Sequence, residues 1–215
     1  MPVRKLKKSY ISCVGYFKSY KNDRQQAFDS ILEREWFLYF EFDKNVASYA
    51  EQPYHMYYQL NGVKTRYTPD ILVTYRDGSQ KLFEVKYQDE IDSDEDLQHK
   101  LFILKNEVPK QKHHPFDVLT DVILDTIYMK NCAFLYKYAF LQENQELSDK
   151  VETAINNYDT SISVNSLLED ITTNQQEQLM IMPYVWKKVF DNPTLIDMNE
   201  KITKLSKINL GAINE

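Results

Sequence analysis

"YTPDILVTYRDGSQKLFEVKYQ", residues 67–88, decides how this chain folds. An aspartate follows a proline, the chain turns at Asp77-Gly78, and it returns through an apolar strand interrupted by Glu84 and Lys86. Charges inside a strand are costly to bury and need a reason. The length of the turn sets which side chains share a face. A two-residue loop at Asp77-Gly78 would leave Asp70 and Glu84 on opposite sides of the sheet. A three-residue loop, Arg76-Asp77-Gly78, with Gly78 left-handed as a bulge, instead puts Tyr75 opposite Ser79 and Asp70 opposite Glu84. In that register Ile71 and Val73 meet Phe83 and Val85 as one apolar surface to bury, which independently supports it. Asp70, Glu84 and Lys86 then converge on the other face. Two carboxylates at cross-strand distance repel unless a cation lies between them, and hard oxygen ligands with open positions suit Mg²⁺ or Mn²⁺. The alternative is an exposed hairpin face on which Lys86 pairs with Glu84 or Asp70 at little energetic gain.

Upstream, "NDRQQAFDSILEREWFLYFEFD" predicts an amphipathic helix that starts near Asp23 and carries an apolar stripe of Ala27, Ile31, Leu32, Trp36, Phe37 and Phe40. Glu33 stands four residues before Phe37 and points toward the core side, or else sits at the stripe's edge and pairs with a base. "VASYAEQ", "YHMYYQL" and, after an Asn61-Gly62 turn, "VKTRYT" have strand character and lead into the hairpin. "DLQHKLFILKNEV" predicts a helix, "FDVLT" a buried strand, and "DVILDTIYMKN" and "AFLYKYAFL" return to helical spacing. Helix, strand meander, then alternating helix and strand is an α/β pattern with a mixed sheet. From about residue 142 the chain turns polar and Asn-rich. "SVNSLLEDI", "NQQEQLMIMPYVWKKVF" and "PTLIDMN" then suggest a small helix-turn-helix unit with a hairpin or wing. The expected organisation is a basic arm (1–24), an α/β domain (25–141) and a C-terminal domain (142–215).

The bulk composition narrows the class. The chain has 215 residues, only 4 Gly, abundant Tyr and Phe, and ordinary apolar and charged fractions, which argues for ordered aromatic packing without repeats. Cys13 and Cys132 lack partners at disulfide-framework or zinc spacing, so a reducing cytosol is expected. No signal-peptide core and no apolar run of membrane-spanning length occurs in the sequence. Net charge is -6, yet charge is segregated. Arg4, Lys5, Lys7, Lys8, Lys18, Lys21 and Arg24 form a basic arm, and Lys110 and Lys112 lie beside His113 and His114 as further candidates for phosphate contact. "DEIDSDED", residues 89–96, is the opposing acidic block. Trp186, Lys187 and Lys188 are possible DNA contacts, although a stripe of Leu179, Met182, Trp186 and Val189 is more often core.

"TPD" at 68–70 and "EVK" at 84–86 resemble the PD-(D/E)XK nuclease signature, and "AFDSILEREW" supplies Glu33 as the acid such enzymes draw from a preceding helix. The ordered string "GYFKSYKN", "AFDSILERE", "FD", "EQP", "YTPD", "EVK", "FDVLTD" and "FLYKY" resembles the TnsA family, the endonuclease subunit of heteromeric transposases, including compact CRISPR-associated forms. That resemblance covers residues 14–140. It implies a restriction-endonuclease-like mixed sheet flanked by helices, with a small winged-helix-like C-terminal α domain resembling the family in layout alone. It further implies cytosolic hydrolysis of the 5′ strand at double-stranded transposon ends, beside the DDE-type transposase TnsB and the AAA+ regulator TnsC. Carried over by position, Glu33, Asp70 and Glu84 are the metal-binding acids for one or two Mg²⁺ or Mn²⁺ ions, the Val85 carbonyl is a further ligand, and Lys86 is the motif lysine. Gln52 in "EQP" matches another family position. A stand-alone restriction or repair nuclease and a non-catalytic DNA-binding scaffold are the rival readings.

Overall fold

Alternation in the quoted stretch builds the centre of the molecule. In a computed structural model that describes residues 13–112 and 114–209, Ile71–Tyr75 and Gln80–Val85 form an antiparallel pair. We number the strands β1 Gly15–Ser19, β2 Arg24–Phe28, β3 Val46–Glu51, β4 Met56–Leu60, β5 Val63–Tyr67, β6 Ile71–Tyr75, β7 Gln80–Val85 and β8 Phe116–Leu119. Ile71 faces Phe83 and Thr74 faces Gln80, which extrapolates to Tyr75 opposite Ser79 and Asp70 opposite Glu84. The Tyr75 amide donates to Ser79 O at 2.9 Å, the Gly78 amide donates to Tyr75 O at 3.0 Å, and Gly78 has φ +83°. This is the expected three-residue loop, and the left-handed position is where a residue without Cβ carries no steric penalty.

The sheet order is β3-β6-β7-β8, with β8 parallel to β7 and the other pairs antiparallel. It is therefore mixed, as expected of an α/β domain. One face packs on helix α1, Ile31–Phe42: Leu32, Trp36, Phe37 and Phe40 form a core with Ile71, Val73, Phe83 and Val85. Each large side chain fully withdrawn from water there contributes about 1.5–3 kcal/mol. The other face is not the open polar surface that alternation suggested. Leu82 is packed with Met56, Tyr58 and Tyr67 of the β4–β5 hairpin and with Leu101, Leu104 and Val108 of α3, Glu95–Lys112. The end of the sheet bearing Asp70, Glu84 and Lys86 remains polar, as does the opposite end, where Gln80 Nε2 donates to Thr74 Oγ1 at 2.9 Å.

Two expectations about the N-terminal part need correction. Residues 24–28 are a strand paired with β1, not the start of the helix. From Gln25 their side chains alternate, Gln26 and Phe28 buried, Gln25 exposed and Ala27 between the two. The helix begins at Ile31 because Ser30 caps it, accepting from the Glu33 amide at 3.1 Å. The second correction concerns the basic arm. Lys18, Lys21 and Arg24 belong to the β1–β2 region, while Arg4, Lys5, Lys7 and Lys8 lie outside the described residues.

The acidic block is helical: Asp89 and Glu90 lie in the first turn of the short helix α2, Gln88–Ser93, and Glu95 and Asp96 in that of α3. Negative charge is favoured at these helix N-termini by the exposed amides.

The chain divides into two compact units between Leu124 and Asp125, earlier than the expected boundary near 142. The reason lies in α4, Ile127–Leu135. Asn131 is buried and donates through Nδ2 to the carbonyls of Met198 (2.9 Å) and Glu200 (2.8 Å), while Phe134 packs edge-on against Trp186 at 5.2 Å. The second unit also contains α5 Gln145–Asn156, α6 Val164–Ile171, α7 Gln175–Asp191 and a small antiparallel pair, β9 Ser161–Ser163 with β10 Lys207–Asn209. On α7, Trp186 and Val189 are core as the stripe suggested, but Leu179 is exposed and Ile181, Val185 and Phe190 fill the interior. Lys187 pairs with Asp191, and Lys188 with Glu152 at 3.4 Å.

Candidate active site

Asp70 precedes β6, Glu84 and Val85 end β7, and Lys86 follows them, so the bulged turn sets all four at one end of the same strand pair. Lys86 Nζ stands 3.0 Å from Glu84 Oε1 and 3.8 Å from Asp70 Oδ2, and donates to Val85 O at 2.9 Å. The Val85 amide donates to Asp70 Oδ2 at 2.8 Å, locking that carboxylate onto the neighbouring strand. Tyr67, the last residue of β5, donates its hydroxyl to Glu84 Oε2 at 2.6 Å.

The electrostatics are those of too much negative charge in too little water. Burial, then the Glu84 charge, holds the Asp70 carboxyl well above the ordinary carboxylate range, with Lys86 opposing. Burial alone would lower the Lys86 ammonium, but Asp70 and Glu84 more than offset it and raise it. Lys86 is therefore cationic at neutral pH. Burial and the Glu84 charge push Tyr67 well up, so it stays a donor.

Glu33 is placed differently. It is buried on the first turn of α1, with Oε2 accepting from the Asp29 amide at 2.9 Å and Oε1 from Ser30 Oγ at 3.1 Å. Together with the Ser30 cap this is a reciprocal capping box. Burial raises the Glu33 carboxyl, and its charge acts on Asp70 while Lys86 acts on it. It thus neighbours the centre electrostatically, but its oxygens are committed to its own helix end. Accordingly, no group of three or more His, Cys, Asp or Glu among the described residues has the spacing of a metal site. The nearer donor set still suits a hard cation: two carboxylates and the Val85 carbonyl already surround one positive charge, and every donor is oxygen.

Sequence reasoning gave no role to Tyr67, although it begins the quoted stretch, and left that of Gln52 undefined. Gln52 has φ +41°, is buried, donates its amide to Asp70 O at 2.8 Å and its side chain to Asp29 Oδ2 at 3.0 Å. A buried non-glycine residue held in the left-handed region is a marker for such a site, and only coordinates reveal it.

Several expected DNA contacts are occupied within the protein. Lys21 Nζ donates to the carbonyls of Asp43 and, at 2.9 Å, Val46; burial lowers its pKa. Arg24 pairs with Glu51 at 3.0 Å, and Lys110 with Glu107 at 3.0 Å. Lys18 is exposed, Lys112 closes α3, and His113 lies outside the described residues. Trp186 is buried.

Residues 43–121 match the family model described as TnsA-like endonuclease N terminal. This region is similar to the endonuclease domain of the TnsA type. The match includes Gln52, Asp70, Glu84, Val85 and Lys86, whereas Glu33 precedes it. No curated protein matches the chain significantly. No helix among the described residues is long and apolar enough to cross a membrane.

Proposed function

We propose that this protein is a metal-dependent DNA endonuclease that hydrolyses the 5′, non-transferred strand at transposon ends. In this reading it is a cytosolic subunit of a prokaryotic heteromeric transposase, acting with TnsB and TnsC, and its second unit, of winged-helix-like layout, serves docking. The observation that carries the reading is the gathering of Asp70, Glu84 and Lys86 at one end of a sheet inside a TnsA-like domain.

Asp70, Glu84 and the Val85 carbonyl would hold Mg²⁺ or Mn²⁺, with Glu33 as a further acid once released from its cap. A divalent cation there supplies Lewis acidity toward a water and a phosphoryl oxygen. The protein's own groups do the rest. Lys86 is kept charged by the two acids, so it is a poor base and a good electrostatic partner. It orients the attacking water and stabilises charge that develops on the phosphoryl oxygens. Tyr67 and the Val85 amide each fix one carboxylate rotamer, so little reorganisation accompanies reaction. The products are a 5′-phosphate and a 3′-hydroxyl. The acidic helix starts after β7 disfavour free DNA, which fits cutting that depends on assembly with basic or DNA-bound partners.

The test is strand nicking on transposon-end duplexes with Mg²⁺ or Mn²⁺, with and without TnsB and TnsC. Wild-type cleavage of the 5′ strand in the full assembly, lost in Lys86→Met while DNA binding persists, is expected. Equal cleavage by Lys86→Met rejects the site. Specific cutting by the isolated chain would instead identify a stand-alone nuclease.

A further inference from the structure

The β4–β5 hairpin has two unlike faces. Pairing Met56 with Tyr67 and Tyr58 with Thr65 turns Met56, Tyr58 and Tyr67 into the core, where all three are buried. The intervening pairs, Tyr57 with Arg66 and Gln59 with Lys64, face outward and are exposed. The Asn61-Gly62 turn, with φ +51° and +81°, is the tight connection that keeps this twisted ribbon in a single register. Gln111 Nε2 ties the ribbon to α3 through the Tyr57 carbonyl at 2.9 Å. The outward face is therefore firmly held and not a loose loop.

Its charge is of one sign. Residues 54–68 contain no Asp or Glu, although the whole protein has 32 of them and a net charge of -6. Lys64 Nζ lies 4.9 Å from the Tyr57 ring centroid, and neither Lys64 nor Arg66 forms an ion pair among the described residues. By contrast, Lys21, Arg24 and Lys110 are taken up by their own chain. Placement matters as much as sign. Arg66 directly precedes Tyr67, whose hydroxyl is on Glu84, so the cationic face is fixed to the same short strand as the candidate active site. Residues two apart in a strand are about 6.8 Å apart, close to two nucleotide rises of about 3.4 Å along one DNA strand.

We propose that the outward face of the β4–β5 hairpin, with Arg66 and Lys64 on one strand and Tyr57 on the other, contacts the phosphate backbone of double-stranded DNA flanking the bond to be cut. The proposal deepens the nuclease reading and rests on it. Lys64 and Arg66 supply sequence-independent affinity with a strong salt dependence, while the Tyr57 ring restricts the Lys64 stem.

Binding of the full-length chain to a fluorescent 30-base-pair duplex of arbitrary sequence, in EDTA and across a range of KCl, reads this directly. Replacing both Lys64 and Arg66 by Ala should weaken binding and reduce the slope of log affinity against log salt by about 1.8, at about 0.9 per lost phosphate contact. The exchange Lys64→Arg with Arg66→Lys should leave the slope unchanged. A charge-matched control, Lys130→Ala with Lys150→Ala, removes cations already paired with acids and should also leave it unchanged. An unaltered slope in the hairpin variant, an equal fall in the control, or no duplex binding by the wild type overturns the proposal. The nuclease reading is judged separately by nicking in Lys86→Met, so either idea can fail alone.

Discussion

Replacing Lys86 by Met removes the cation that pairs with both Glu84 and Asp70 while keeping an aliphatic stem of similar length. At an effective dielectric near 20, charges 3.0 Å apart attract by roughly 5.5 kcal/mol before desolvation is subtracted. Truncating one partner of a fully buried pair costs about 3–5 kcal/mol, and an exposed pair is worth about 0–1 kcal/mol. Lys86 is 24% exposed and Glu84 5%, so the loss at neutral pH and without metal should be about 2 kcal/mol, between those limits. The pH dependence has a definite sign. Asp70 already has a raised carboxyl, chiefly through burial and then Glu84. A native carboxyl raised above its unfolded value weakens the fold at neutral pH, and stability returns as pH falls through that raised value toward the ordinary range near 4. Removing Lys86 raises Asp70 further, so the deficit of the variant should be largest near pH 7.5 and shrink toward pH 5. Mg²⁺ should raise the stability of the variant, because a ligand at ten times its Kd stabilises by about 1.4 kcal/mol. Urea unfolding followed by Trp36 fluorescence, in a Trp186→Phe background and in EDTA, isolates the first unit. Equal stability of Lys86→Met and its parent at both pH values would refute the view of Lys86 as the counter-ion of these acids.

Tyr67→Phe leaves Glu84 Oε2 without its 2.6 Å donor; unfolding in EDTA should show a loss of about 1–3 kcal/mol, together with slower nicking by the assembly. Gly78→Ala places a Cβ at φ +83°, where nothing lies within 4 Å of it. Backbone strain is then the whole effect, and the same urea titration should report about 1 kcal/mol of destabilisation. Burial pushes the Cys132 thiol up to about 12, so iodoacetamide at pH 8 should label exposed Cys13 and spare Cys132 until the second unit unfolds, as read by peptide mass.

What residues 67–88 determined by themselves was the hairpin register. Side chains alternate with period two, and Gly78 accepts a left-handed turn, so chemistry local to the stretch aligned Asp70 with Glu84. The same local rules misled just before it. Arg24–Phe28 has spacing that a helix could use, but its pairing with Gly15–Ser19 and the donation from Gln26 Nε2 to Tyr49 O at 3.1 Å made it a strand. The Ser30–Glu33 capping spacing is present in the sequence but is passed over by a predicted start near Asp23, and its commitment of both Glu33 oxygens became apparent only in three dimensions. Tertiary packing alone decided that Lys21 serves the Asp43 and Val46 carbonyls, that Tyr67 holds Glu84, and that α4 joins the second unit. Periodicity and turn residues encode the conformation of neighbouring positions. Which distant groups meet, and which charges lose their water, depends on how the finished surfaces fit together, and no single segment carries that information.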